Sequence, residues 1–125
     1  NSCRSQMAEA IVNARYSVRW QAFSAGTRPA GDTHPKAIKV LEEIGIQHLG
    51  KSKHADHFRD IVFDLVVTVC DNAAKDCPAW LREGHRLHQS FPDPAEAQGP
   101  EEEIMAVFRQ VRDKIAEKIP ELLQA

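Results

Sequence analysis

The residues of this chain best suited to chemistry are an arginine in a polar N-terminal loop, three cysteines, and an aspartate between two prolines. Asn1-Ser2-Cys3-Arg4-Ser5 runs directly into a stretch of helical period. Backbone amides at a helix N-terminus, joined by a guanidinium, make a site for a tetrahedral oxyanion. The same residues also suit a plain helix start with an exposed arginine. Cys70 and Cys77 flank the polar segment Asp71–Asp76. If that segment is helical, the two cysteines lie about 10 Å apart along its axis, whereas a disulfide needs Cα atoms within about 7 Å. A bridge then requires unwinding, which the polar residues with Ala73 and Ala74 ease. This suits a redox switch better than a structural staple; two unrelated small core residues are the alternative. Asp93, in Pro92-Asp93-Pro94, fits either a common turn or a loop carboxylate placed to act as an acid.

The elements that must hold these groups alternate in period. Met7, Ala8, Ile11 and Val12 predict a first helix from near Ser5, with Tyr16 inside it. Arg19–Phe23 alternates as a strand does, and Ser24–Pro29 is a Gly/Pro loop. Pro35 opens a second helix, from about His34 to Ile44, and Gly45 closes it. Lys51–Asp60 is polar and predicts a short helix. Leu65–Val69 is a continuous apolar, largely β-branched run, suited to a parallel strand covered on both faces. Leu87–Ser90 predicts a short last strand, and Phe91–Gly99 a Pro-rich loop. Ile104, Val107, Phe108, Val111, Ile115 and Leu122 mark a final helix from about Glu101, whose last turn Pro120 places in question. Alternating helices and strands point to a parallel α/β sheet with helices on both faces. Ligands in such sheets bind beyond the carboxyl ends of the strands. The loops after Phe23 and Val69 and the segment Asn1–Ser5 are therefore the candidate site walls.

Composition narrows the classes of function. At 125 residues the chain suits one domain, 1–125, with one core. No apolar run approaches the ~20 residues that span a bilayer, so no membrane partner is expected. A formal charge of −2 gives no electrostatic reason to expect nucleic acid. An odd cysteine count argues against a structural disulfide framework. There is no Cys-x-x-Cys, and His85 and His88, three apart in a Pro/Gly-flanked region, form no ligand pair near the cysteines. Neither a metal nor another cofactor is expected.

Asn1-Ser2-Cys3-Arg4-Ser5-Gln6-Met7-Ala8-Glu9-Ala10 resembles the second half of the phosphate-loop signature of low-molecular-weight tyrosine phosphatases and their thioredoxin-coupled arsenate-reductase relatives. The full pattern is Cys-x5-Arg. Further agreement lies in Phe23-Ser24-Ala25-Gly26-Thr27, His34-Pro35-Lys36-Ala37, Asp64-Leu65-Val66-Val67-Thr68 and Phe91-Pro92-Asp93-Pro94, so the resemblance covers essentially the whole chain. It implies a four-stranded parallel sheet, here without its first, central strand. It also implies an oxyanion-binding loop of Asn1, Ser2, Cys3 and Arg4, with Arg4 and Ser5 catalytic. The family's nucleophilic cysteine would fall three residues before Asn1; the chain as given is then expected to be inactive and N-terminally truncated. Cys3 is the other cysteine of the motif, expected at the loop's edge.

Thioredoxin-coupled arsenate reductases carry Val-Thr-x-Cys at a strand end and a second cysteine seven residues later. Val67-Thr68-Val69-Cys70 and Cys77-Pro78 match. The resemblance thus implies reduction of arsenate by a three-thiol relay that ends in a Cys70–Cys77 disulfide, with thioredoxin as partner, in a cytoplasmic monomer. Asp93 matches the family's general acid, a role that needs a raised pKa. Asn1, Glu9 and Ser24 match ligands of a monovalent cation bound in some members. Lys53 falls, by rough alignment, where those members have an acidic fourth ligand, so its ammonium would mimic the cation. Two other readings stand beside this one. A phosphotyrosine-type phosphatase would need an aromatic rim, but the family's Asp-Pro-Tyr is Asp93-Pro94-Ala95 here. A non-catalytic oxyanion-binding fragment is the third.

Overall fold

The computed structural model describes residues 3–25, 33–48, 63–69 and 85–124. Helix α1 spans Arg4–Arg15. It turns Gln6, Met7, Ala10 and Ile11 inward, one stripe at i, i+1, i+4 and i+5. Tyr16 is its C-cap rather than part of it. Helix α2 spans Pro35–Glu42, with His34 as N-cap accepting from the Lys36 amide at 3.1 Å and proline at its first position. Its end carries paired backbone bonds, Ile46 N–H to Leu41 O and Gly45 N–H to Glu42 O, both 3.0 Å. Gly45 has φ +79°, the left-handed conformation this ending requires, and Ile46 is buried behind it. The predicted close at Gly45 is what the backbone does.

Helix α3 spans Glu101–Gln124 and continues through Pro120. The proline removes one backbone donor, yet Ile119 is buried and Leu123 packs on the core, so tertiary contacts hold the last turn. α3 packs against both α1 and α2. Met7, Ile11, Leu41, Phe108 and Ile115 are almost fully buried where the three meet.

Strands β1 (Val66–Thr68) and β2 (Arg86–His88) pair in parallel, with Val66 opposite Arg86 and Thr68 opposite His88. This two-stranded sheet, not a four-stranded one, is what the described residues form. The predicted strand at Arg19–Phe23 is absent. That backbone meets a side chain instead of a ladder: Asn13 Oδ1 accepts from the Ala22 amide at 2.8 Å, and Asn13 Nδ2 donates to the Ala22 carbonyl at 3.1 Å. The run Leu65–Val69 is also less covered than expected. Only Thr68 is buried; Leu65, Val67 and Val69 look into an apolar cavity of about 190 Å³ bounded by Val12 and Ile119. The expected helix at Lys51–Asp60 lies outside the described residues. Among the described residues no helix is long and apolar enough to cross a membrane.

Candidate active site

The parallel ladder continues past β1 and β2 as Gln89 N–H to Thr68 O (2.9 Å) and Phe91 N–H to Val69 O (3.2 Å). These bonds carry the Phe91–Asp93 loop to the carboxyl ends of the strands, where ligands of parallel sheets bind. The start of α1 lies at the same place. Arg4, first residue of α1, donates from Nη1 to the Phe91 carbonyl at 3.0 Å, and its Nη2 lies 3.6 Å from Asp93 Oδ2. The arginine and the aspartate, 89 residues apart in the chain, are thus neighbours, with side chains only 21% and 29% exposed.

Asp93 is held by the turn it begins. Its Oδ1 accepts from the Ala95 amide at 3.0 Å, capping a short 3-10 helix, Pro94–Glu96, while Pro94 is buried as a wedge. The capping oxygen and the oxygen facing Arg4 are different atoms, so the carboxylate is fixed at one and presented at the other. Ser5 borders the cavity beside β1. Cys3 caps α1 and is 3% exposed, further inside than the loop edge expected for it. A thiol so placed packs as a small apolar group.

A second polar cluster underlies the first turns of α1. Glu9 Oε1 accepts from the Ser24 amide at 3.0 Å, which brings together two residues of the expected cation site. The third partner was not foreseen. His48 Nε2 lies 2.6 Å from Gln6 Oε1 and 3.5 Å from Glu9 Oε2. A polar residue in the inward stripe of α1, Gln6 between apolar neighbours, was the signal that a buried partner existed. Asn1, Ser2, Lys53, Cys70 and Cys77 lie outside the described residues. Among those described, no group of three or more His, Cys, Asp or Glu is arranged to hold a metal ion.

His34 stands near Asp93. Burial, then the Lys36 charge, hold its imidazole below the ordinary histidine pKa, and Asp93 opposes them. Its ring also leans on Phe108, with centroids 4.9 Å apart.

The whole chain, residues 1–125, matches the model of the low molecular weight phosphotyrosine protein phosphatase family. The chain belongs to that family. Among curated relatives, an arsenate reductase of Halalkalibacterium halodurans is 43% identical over 120 residues, covering 95% of this chain and 86% of its own. One from Bacillus subtilis is 40% identical over 126 residues, covering 99% and 89%. In structure, an arsenate reductase in the phosphate-binding state superposes with a TM-score of 0.82 at 28% identity, covering 99% of this chain and 90% of that one. An arginine phosphatase from Geobacillus stearothermophilus shares the fold, with a TM-score of 0.73 at 23% identity. Within the family's fold, helices packed around a small parallel sheet, Arg4 and Asp93 occupy one pole.

Proposed function

We propose that this protein is a thioredoxin-dependent arsenate reductase. The observation that carries the proposal is the Arg4–Asp93 pair at the start of α1: a guanidinium for an oxyanion, and beside it a carboxyl group to protonate a leaving oxygen. A phosphatase needs the same two groups. Two features favour the reductase: the Cys70/Cys77 pair, and the arsenate reductases among the relatives. Tyr16, the chain's one tyrosine, ends α1 and supplies no aromatic rim in the Asp93 loop.

In the proposed reaction, the amides of Asn1–Ser5 and Arg4 bind arsenate. The thiolate of the cysteine that the family pattern places ahead of Asn1 bonds to arsenic, and an arsenate oxygen leaves with a proton from Asp93. Cys70 thiolate then attacks the sulfur of that cysteine. A disulfide forms, the sulfur–arsenic bond breaks, its electron pair stays on arsenic, and arsenite departs. Cys77 thiolate attacks the Cys70 sulfur and frees the first cysteine as thiolate. Thioredoxin's dithiol reduces the Cys70–Cys77 disulfide. Each thiol step is displacement at sulfur. A reducing cytoplasmic setting and a monomer that docks thioredoxin belong to the same reading.

The product of the source gene tests it, because sequencing shows whether a cysteine codon stands three positions before Asn1. With Cys77→Ser, that product should reduce about one equivalent of arsenate and stop, since the disulfide cannot be passed on. Repeated turnover with thioredoxin as sole reductant would contradict the relay. Efficient aryl phosphate hydrolysis without arsenate reduction would favour the phosphatase.

A further inference from the structure

We infer that His48 is the built-in partner of Glu9, holding the base of α1 in place of the monovalent cation that the resemblance implied for some family members, and that this protein's stability is independent of potassium. The inference rests on the geometry of α1 and not on the reaction proposed above.

Glu9 and His48 have side chains only 10% and 9% exposed. His48 Nε2 faces two oxygens, Gln6 Oε1 at 2.6 Å and Glu9 Oε2 at 3.5 Å. Turning the Gln6 amide over would point its hydrogens at Nε2 and leave the ring's lone pair against a buried carboxylate. The carboxylate therefore favours the arrangement in which Nε2 carries hydrogen and Gln6 accepts, although it leaves the buried Gln6 Nε2 without a hydrogen-bond partner among the described residues. Glu9 Oε1 meanwhile receives the Ser24 amide hydrogen at 3.0 Å. Both carboxylate oxygens thus face N–H groups.

These residues do not fit a hard monovalent cation, which takes oxygen ligands. The Ser24 amide and the His48 ring nitrogen already stand at the two Glu9 oxygens that such an ion would use. Ser24 meets Glu9 through its amide rather than its hydroxyl. Among the described residues that hydroxyl has no hydrogen-bond partner, and it adds one oxygen and not a coordination shell. His48 thus takes the role that the sequence suggested for Lys53.

The test is thermal unfolding at matched ionic strength in potassium, sodium and choline chloride. The parent should melt at the same temperature in all three, within about 1 °C, because a site already filled by the protein gains nothing by mass action. His48→Ala should gain a rise specific to potassium or sodium. His48→Gln, which restores an N–H donor, should lose that rise again. A potassium-specific rise in the parent, an insensitive His48→Ala, or sensitivity gained by Lys53→Ala instead would each overturn the assignment. If His48→Ala does not fold, the ring nitrogens of His48 in the labelled parent give an independent answer. A protonated Nε2 unmoved by potassium supports the proposal, and an unprotonated or potassium-sensitive Nε2 refutes it. Activity enters neither measurement, so failure here is distinct from failure of the reductase reading.

Discussion

Two arginines of this protein meet the same kinds of partner, a backbone carbonyl and a carboxylate, yet one is closed and the other open. Arg112, 8% exposed, donates from Nη1 to the Val40 carbonyl at 2.9 Å and to Glu43 Oε1 at 3.0 Å, and from Nε to Asp113 Oδ1 at 2.9 Å. Arg109 adds a fork on Glu43, with Nε and Nη2 at 2.8–3.1 Å. This network ties α3 to the end of α2. Among the described residues Arg4 makes one hydrogen bond, to Phe91 O, and stands 3.6 Å from Asp93 without closing on it. A guanidinium has five donors, so most of Arg4's face no described partner. Closure on the carboxylate, at 3.0 Å for Arg112 and 3.6 Å for Arg4, rather than the presence of an arginine, separates a strut from a candidate site.

The contrast predicts opposite losses. Arg4→Ala should lower kcat/KM for arsenate in the active gene product by about 100- to 1000-fold, the range for removing one oxyanion-stabilising donor. It should leave the melting temperature nearly unchanged. An Arg4→Ala protein that unfolds early but binds arsenate normally would reverse the assignment of the two arginines. Asp93→Asn sharpens the same point. Asparagine keeps an oxygen for the Ala95 amide, so the cap survives, but it has no proton to give. Turnover should fall about 100-fold or more with stability kept; equal losses from Asn and Ala at this position would make Asp93 a cap alone.

Arg112→Ala should do the reverse. It strands the Val40 carbonyl and loosens Glu43 from α3, which costs about 2–4 kcal/mol. In a domain of this size that lowers the melting point by roughly 10 °C. Arsenate binding by the folded fraction should be unaffected. A melting point unchanged by the substitution would show that the network is decorative.

The sequence made the open arginine legible and hid the closed ones. Arg4 stands in a motif at a helix start, and Asp93 sits between prolines, so type and position marked both. Arg109 and Arg112 look like any surface residues of an amphipathic helix. Their partner Glu43 comes from a turn whose path depends on how α2 ends. His48 was hidden likewise, because nothing local says that the residues after Gly45 fold back on α1. Helix bounds were readable because caps and period are local: Pro35, Gly45 and the Glu101 start all hold. Arg19–Phe23 failed for a tertiary reason. Alternation describes a chain able to join a sheet, and here Asn13 takes the Ala22 backbone instead.

The smallest effect, and the finest probe of the contrast, is in pH. His34 and Glu43 flank α2 and titrate in separate windows. The His34 imidazole is held below its usual 6.5, by burial first and then by Lys36. Its Nδ1 accepts the Lys36 amide, so the neutral ring carries its hydrogen on Nε2, and the added proton must go to the capping atom. A histidine depressed in the folded state leaves the unfolded chain binding the proton first. Its contribution is therefore complete above about 6.5 and is lost as pH falls through the lower folded value. Glu43 is held below 4.5, chiefly by the hydrogen bonds from Arg109. Its contribution is likewise present at neutral pH and lost on acidification, but in a window below that of His34. His34→Asn keeps a capping acceptor without titrating, so it should remove the upper step of the stability profile and leave the lower. Glu43→Gln should remove the lower step and leave the upper, and because Glu43 is solvent-exposed its step should shrink in high salt. A single unchanged acid transition in both variants would show that neither end of α2 is held by the groups assigned to it.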